Sequence, residues 1–157
     1  MTAPQPVVLV TGDEIGLVGE AVREVVSLAL GRDDRSLALE ELTEDDYRTD
    51  DGFEVARLVD AAQTPPLLSE RRVVVGRHLG RFGDKEAIAP LVAYLADPLE
   101  TTALVVVWEK GAVPVQQRLN PVPKSLLEAV VNAGGEVRKT SVGRGREAQQ
   151  WLDDRLD

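Results

Sequence analysis

The chain has 157 residues, of which 43% are hydrophobic and 29% charged, so it is long enough for one domain with an ordinary packed core. It has no cysteine and a single histidine, which excludes a disulfide framework and a thiolate metal site and argues against a zinc enzyme or a Ser/His/Asp hydrolase. Its formal net charge of −9 argues against strong binding of nucleic acid by this chain alone, because a protein that grips phosphates carries a basic surface.

The amino terminus and the hydrophobic runs predict a cytoplasmic protein that does not associate with membranes. Residues 1–6 lack a basic segment followed by an apolar core, so they do not resemble a secretory signal. No apolar run approaches the ~20 residues that a transmembrane helix needs.

The first third of the chain predicts a strand, a helix and a second strand. Val7–Thr11 is apolar and β-branched, which predicts a buried parallel strand. Apolar residues then recur at helical spacing as far as Gly31, with Asp13 as the predicted N-cap. Ser36–Leu42 alternates and predicts the second strand, and the acidic residues after Thr43 predict a turn or a short helix.

The rest of the chain continues the alternation. A helix is predicted over Gly52–Gln63 and ends at Pro65 and Pro66, because proline lacks the amide donor. Ala103–Trp108 is the most apolar strand, which indicates a central position in the sheet. The remaining predicted elements are strands over Arg72–Gly76 and Glu136–Thr140 and helices over Lys85–Leu95, Pro121–Ala133 and Arg146–Leu156.

Five consecutive β/α units predict an α/β fold. Its sheet is expected to be mainly parallel and five-stranded, with helices on both faces. Many unrelated activities share such a fold, so the fold alone does not define a function.

The turn Gly12-Asp13-Glu14 has the layout of a phosphate-binding loop without its chemistry. It links an apolar strand to a helix, but it lacks the lysine and the hydroxyl that hold phosphates and Mg²⁺ in a working P-loop. One interpretation is that the two carboxylates cap the helix and meet its positive end. The alternative is a metal-dependent nucleotide-binding or phosphoryl-transfer domain that uses Asp13 and Glu14, although no aspartate follows the third or fourth strand to complete it.

A second candidate is the apolar pair Leu67-Leu68, between a helix end and a strand. Neighbouring side chains point in different directions, so both leucines do not easily face the core. The spacing alone favours one leucine packed under the loop and the other exposed. The alternative is a pair that inserts into the pocket of a partner protein, on a loop that Pro65 and Pro66 stiffen.

Three segments together resemble the delta subunit of the bacterial DNA polymerase III clamp loader. They are the apolar strand that leads into Gly12-Asp13-Glu14, the run Gln63-x-x-x-Leu67-Leu68-Ser69-Glu70-Arg71-Arg72 that leads into three valines, and the closing Trp151-x-x-x-Arg155. The resemblance covers the whole chain but only the first part of that protein. It implies an AAA+-like clamp-binding domain over residues 1–142 and the first helix of a following helical domain over residues 143–157.

The resemblance also implies a function. Delta subunits have a degenerate nucleotide loop, here Gly12, Asp13 and Glu14, and neither bind nor hydrolyse ATP, so no cofactor, metal or catalytic residue is expected. The chain would be a non-enzymatic subunit of the DNA-directed DNA polymerase holoenzyme. It would bind the sliding clamp (the beta subunit) and favour the clamp's open form, in a full-length protein that joins the other loader subunits.

The implied clamp-binding residues lie on the loop with the two leucines. Leu67 and Leu68 match the apolar pair that family members insert into the clamp, and the sequence departs from the family there, because the second residue is often phenylalanine and Pro65-Pro66 replaces the usual preceding residues. The implied contact segment is completed by Ser69, Glu70 and Arg71.

Overall fold

The structure is a computed structural model that describes residues 5–112 and 115–140. The predicted helix over residues 146–156, and with it Trp151 and Arg155, lies outside the described residues. Seven strands are formed in the described part of the chain, namely β1 (Val7–Thr11), β2 (Leu39–Leu42), β3 (Arg48–Thr49), β4 (Gly52–Phe53), β5 (Arg72–Gly76), β6 (Thr102–Trp108) and β7 (Glu136–Lys139).

The helices alternate with these strands along the chain. A 3₁₀ turn, Leu79–Arg81, follows β5. Within the described ranges, no helix combines the length and the apolar character needed to cross a bilayer. The α-helices are α1 (Ile15–Leu30), α2 (Arg35–Ala38), α3 (Glu44–Tyr47), α4 (Ala56–Ala62), α5 (Ala89–Leu95) and α6 (Lys124–Asn132).

Five of the strands form one parallel sheet in the order β2-β5-β6-β1-β7. β6 lies at the centre and all seven of its residues are buried, as its apolar sequence predicts. β3 and β4 form a separate antiparallel hairpin. The predicted α/β fold with a mainly parallel five-stranded sheet is therefore confirmed.

Helices cover both faces of the sheet. The apolar stripe of α1, which includes Val18, Val22 and Val25, packs against alternate residues of the central strands on one face. On the other face, α4, α5 and α6 pack with Trp108 and Leu104 into a second core. Burial of these two apolar layers is the main favourable contribution to the stability of the fold.

Several predicted element boundaries are wrong. The helices predicted over Lys85–Leu95 and Pro121–Ala133 span Ala89–Leu95 and Lys124–Asn132 in the structure. Three further boundaries differ for local reasons. The N-cap of α1 is Glu14, whose carboxylate accepts from the Gly16 N–H at 2.8 Å, and the predicted cap Asp13 is exposed. The segment Ser36–Leu42 begins as helix α2, because Asp34 caps it, and becomes a strand only at Leu39. Gly52 and Phe53 pair with β3 instead of opening a helix, so α4 begins at Ala56.

The ends of the parallel strands define two opposite edges of the sheet, and each edge carries one candidate site. We call the edge where its strands begin the amino edge and the edge where they end the carboxyl edge. Gly12 follows β1 and therefore lies at the carboxyl edge, where α/β proteins usually place ligands. Leu67 and Leu68 precede β5 and therefore lie towards the amino edge. The two candidate sites are thus on opposite ends of the domain.

Tyr47 offers a test of the second core. Its hydroxyl is buried and makes no hydrogen bond in the described structure, and burial raises the pKa of its phenol well above the usual value of 10.0. A buried unsatisfied hydroxyl costs about 1–3 kcal/mol, so we expect Tyr47→Phe to be at least as stable as the wild type at pH 7 in urea unfolding. A variant that is clearly less stable would show that the hydroxyl has a partner.

The same variant should change the alkaline stability. The folded state favours the neutral phenol, whereas an unfolded chain ionises it, so the contribution of Tyr47 is present below about pH 10 and is lost as the pH rises above that value. At pH 11 the wild type should have lost about 1.4 kcal/mol more of its stability than Tyr47→Phe has.

Candidate protein-binding loop and glycine turn

The loop between α4 and β5 presents two leucines to solvent. Leu67 is 91% exposed and Leu68 is 75% exposed, so the expectation that one of them packs under the loop is wrong. Two adjacent leucines at this exposure form a small apolar surface whose burial does not contribute to the stability of the fold. Burial of the two side chains by a partner protein would therefore contribute favourable free energy to binding.

Both ends of this loop are fixed by hydrogen bonds. On the entry side, the Thr64 hydroxyl donates to the Asp60 carbonyl at 2.9 Å, and the Thr64 N–H donates to the Ala61 carbonyl at 3.2 Å. On the exit side, the Arg72 Nε–H donates to the same Ala61 carbonyl at 3.3 Å. The start and the end of the loop therefore meet on one oxygen atom.

We call the two bonded ends of the loop its base, and further bonds hold this base against the rest of the domain. Arg72 also forms an ion pair with Glu40 of β2, and its N–H donates to the Thr101 carbonyl at 2.9 Å. The Tyr94 hydroxyl donates to the Ala62 carbonyl at 3.4 Å and accepts from the Leu99 N–H at 3.2 Å. The leucines thus extend from a base that is bonded to a strand and to a helix.

The other three predicted clamp-binding residues complete the loop. The Ser69 hydroxyl donates to the Arg71 carbonyl at 2.5 Å, which curls the chain just before β5. Glu70 is exposed and Arg71 is half-buried, and neither forms an ion pair in the described part of the chain. Their charges remain available to orient a partner, a role that affects specificity and association rate more than affinity.

At the carboxyl edge, the glycine turn is closed by the protein's own groups. The Thr140 N–H donates to the Thr11 carbonyl at 2.8 Å and its hydroxyl donates to the same oxygen at 3.3 Å. A Cβ at position 12 would lie 2.0 Å from the Thr140 hydroxyl oxygen, which explains why glycine is needed. The carboxylate of Glu14 occupies the Gly16 N–H, a donor that would otherwise be offered to an anion at the helix N-terminus.

A cleft of about 400 Å³ lies beside this turn. Ile15 and Val115 contribute exposed apolar groups to it, and Asp13 and Glu14 contribute carboxylates. Lys110 and His78 are the basic residues in its lining. Among the described residues, no group of three or more histidine, aspartate or glutamate side chains is placed to hold a metal ion.

Two buried ion pairs lie at or next to the cleft, which Glu109 itself lines, and sequence reasoning did not identify them. Glu109 accepts from Arg77 at 2.6 and 3.1 Å and from the His78 N–H at 3.1 Å. Glu44 accepts from Arg81 at 2.7 and 3.2 Å and from the Ala112 N–H at 2.7 Å. The one sequence signal is that Glu109 directly follows the most apolar strand, where neighbouring elements bury a side chain and a buried charge requires a partner.

Comparison with solved structures places the fold among clamp-loader proteins. The DNA clamp loader delta protein YqeN of Bacillus subtilis superposes with a TM-score of 0.63 and 14% identity, over 94% of this chain and 41% of that protein. A DNA polymerase III gamma subunit-related protein of Thermotoga maritima superposes with a TM-score of 0.52 and 15% identity, over 94% of this chain and 44% of that protein. The chain thus spans less than half the length of either protein.

At these identities the similarity establishes the fold alone. The resemblance to clamp-loader subunits that the sequence predicts is confirmed at that level. No protein-family model and no curated protein sequence matches the chain.

Proposed function

We propose that this chain is the clamp-binding module of a clamp-loader delta subunit and that it inserts Leu67 and Leu68 into a pocket of the sliding clamp. The observation that carries the proposal is the exposure of both leucines on a loop whose two ends are bonded to one carbonyl oxygen. The shared fold with a clamp loader delta protein supports the proposal independently of the loop. Ser69, Glu70 and Arg71 would complete the contact surface.

The geometry suits insertion because hydrogen bonds close both ends of the loop in the free chain. A partner that receives a preformed apolar pair does not have to order a flexible segment, which reduces the entropic cost of association. Each leucine contributes about 1.5–3 kcal/mol when it becomes fully buried. Most of the affinity would therefore come from two side chains, in the manner of an interface hot spot.

Clamp opening would follow from differential affinity. A protein that binds the strained, open clamp more tightly than the closed clamp moves the equilibrium towards the open form. The energy for this shift comes from the difference between the two binding free energies, so no nucleotide needs to be hydrolysed by the module. ATP would be handled by other subunits of the loader.

The glycine turn supports a role without catalysis. Glu14 already fills a helix N-terminal donor, and Asp13 adds a second negative charge where a polyphosphate would have to lie. Like charges at short range disfavour binding of a phosphate. No observation favours the alternative of a metal-dependent phosphoryl-transfer domain that uses Asp13 and Glu14.

The proposal extends to the parts of the chain and of the complex that the described residues do not include. Residues 1–142 would form the clamp-binding domain, and residues 143–157 would begin a following helical domain. Contacts with the other loader subunits would be made by the full-length protein.

A calorimetric titration of the chain with the sliding clamp of the same organism tests the proposal. We expect saturable binding, because the apolar pair and its base are present in the isolated chain. Absence of binding by a chain that is folded by circular dichroism would contradict the proposal. A thermal-shift scan with ATP, GTP and Mg²⁺ then tests the alternative of a nucleotide-binding or phosphoryl-transfer domain. A ligand at 100 times its Kd stabilises a protein by about 2.7 kcal/mol, so a clear rise in the melting temperature would support that alternative.

A further inference from the structure

The side chain of Arg72 lies at the base of the leucine loop without being part of its apolar surface. Its Nε–H donates to the Ala61 carbonyl at 3.3 Å, and its terminal nitrogen pairs with Glu40. The side chain is only 17% exposed, so it has little surface to offer to a partner. Its contacts are instead with the end of α4, which precedes the loop, and with β2, the neighbour of β5.

The bond to Ala61 joins the two ends of the loop directly. Residues 64–71 connect α4 to β5 and contain no helix or strand of their own. The Ala61 carbonyl receives the Thr64 N–H from the entry side and the Arg72 Nε–H from the exit side. Closing a segment at its base removes conformations that it would otherwise sample, and the effect is greatest when the interior has no ladder of hydrogen bonds.

We infer that Arg72 is a positioning residue, which holds Leu67 and Leu68 in a binding-ready arrangement by closing the base of the loop onto the Ala61 carbonyl. The inference rests on the proposed function in so far as the loop is a binding element. The planar guanidinium is suited to this role because it presents Nε–H and terminal N–H donors in fixed, different directions. One donor reaches the helix end and another reaches Glu40 at the same time.

The chain offers a pair of variants that separates these two contacts. Arg72→Lys keeps a positive charge for Glu40 but has no donor at the Nε position. Glu40→Gln removes the charge of the partner and leaves the Arg72 bond to Ala61 in place. If base closure is the operative contact, the lysine variant should be impaired and the glutamine variant should behave like the wild type.

The first measurement does not need a binding partner. Backbone ¹⁵N relaxation of the full chain reports the order of the Leu67 and Leu68 amides on the picosecond to nanosecond timescale, where rigid backbone has an order parameter of about 0.85 and flexible backbone lies below about 0.6. We expect high values in the wild type and in Glu40→Gln and low values in Arg72→Lys. Equal order parameters in all three proteins would overturn the inference.

The second measurement is the affinity for the sliding clamp. We expect Arg72→Lys to weaken binding about tenfold, which corresponds to about 1.4 kcal/mol, and Glu40→Gln to bind like the wild type. Combined with Leu67→Ala/Leu68→Ala, the lysine substitution should produce no further loss, because there is no longer an apolar pair to position. A lysine variant that binds as tightly as the wild type, or equal weakening by Glu40→Gln, would overturn the assignment to the Ala61 contact.

The two measurements distinguish failure of this inference from failure of the proposed function. If the wild type does not bind the clamp, the proposed function fails, and the order parameters still decide whether Arg72 positions the loop. If the wild type binds and the order parameters do not differ, the proposed function stands and the positioning role is overturned.

Discussion

Replacing Leu67 and Leu68 together by alanine is expected to weaken binding to the sliding clamp by about 10²- to 10⁴-fold, while the fold stays intact. Each leucine contributes about 1.5–3 kcal/mol on full burial, so the pair accounts for about 3–6 kcal/mol of binding free energy. Because both side chains are exposed in the free chain, their removal creates no cavity in the core. Substitutions at such positions usually change stability by less than about 0.5 kcal/mol. Calorimetry for affinity and urea unfolding for stability measure the two effects separately.

Leu28→Ala is the matched control for this prediction. Leu28 is also an exposed leucine, but it lies on α1 on the opposite face of the sheet from α4. Its substitution removes the same groups from solvent-exposed surface and should leave the affinity unchanged. The loss in the double variant should appear mainly as faster dissociation, since substitutions within one interface change the association rate less than the dissociation rate. A double variant that binds as well as Leu28→Ala would show that the pair is not the clamp-binding element.

The parallel sheet could be predicted because its signal is local. β1 and β5 were predicted with the bounds that the structure shows, and β6 and β7 differ by one residue, since each is a β-branched or alternating run. The hairpin over Arg48–Phe53 was not predicted, because the apolar spacing after Gly52 is also compatible with a helix. Pairing with β3 makes Gly52 and Phe53 a strand instead of the start of a helix. The periodicity of one segment does not show with which other segment it will pair.

The sites were harder to predict, because exposure depends on what surrounds a side chain. The sequence alone could not exclude that Leu67 or Leu68 packs under its loop, and only the path from α4 to β5 shows both in solvent. In the same way, Glu44 and Glu109 belong to a residue type that is usually exposed, but both are buried and paired with arginines from distant segments. Buried charges are stable only with such partners, and the partners are 32 and 37 residues away in the chain.

The buried pair between Glu109 and Arg77 is the second place where a large effect is expected. The Glu109 side chain is 4% exposed and binds Arg77 through two bonds, which raise the pKa of the guanidinium, and it also accepts the N–H of His78. His78 has a φ of 61°, in the left-handed region that residues other than glycine seldom adopt. Glu109 therefore stabilises the left-handed backbone conformation of His78 in addition to the charge of Arg77.

Replacing Glu109 by alanine is expected to lower the free energy of unfolding by about 3–5 kcal/mol, because it leaves Arg77 partly buried without its main partner. Glu41 provides the matched control, since it contacts the same guanidinium at 3.5 Å from a position that is 47% exposed. Glu41→Ala should cost no more than about 1 kcal/mol, as for other surface pairs. Urea unfolding of the two variants beside the wild type measures the difference, and equal losses would contradict the role of burial. The leucine loop lies towards the opposite edge of the sheet. If the proposed function holds, the Glu109 variant should therefore bind the clamp like the wild type wherever it remains folded, and the ion pair would affect stability without affecting the proposed binding loop.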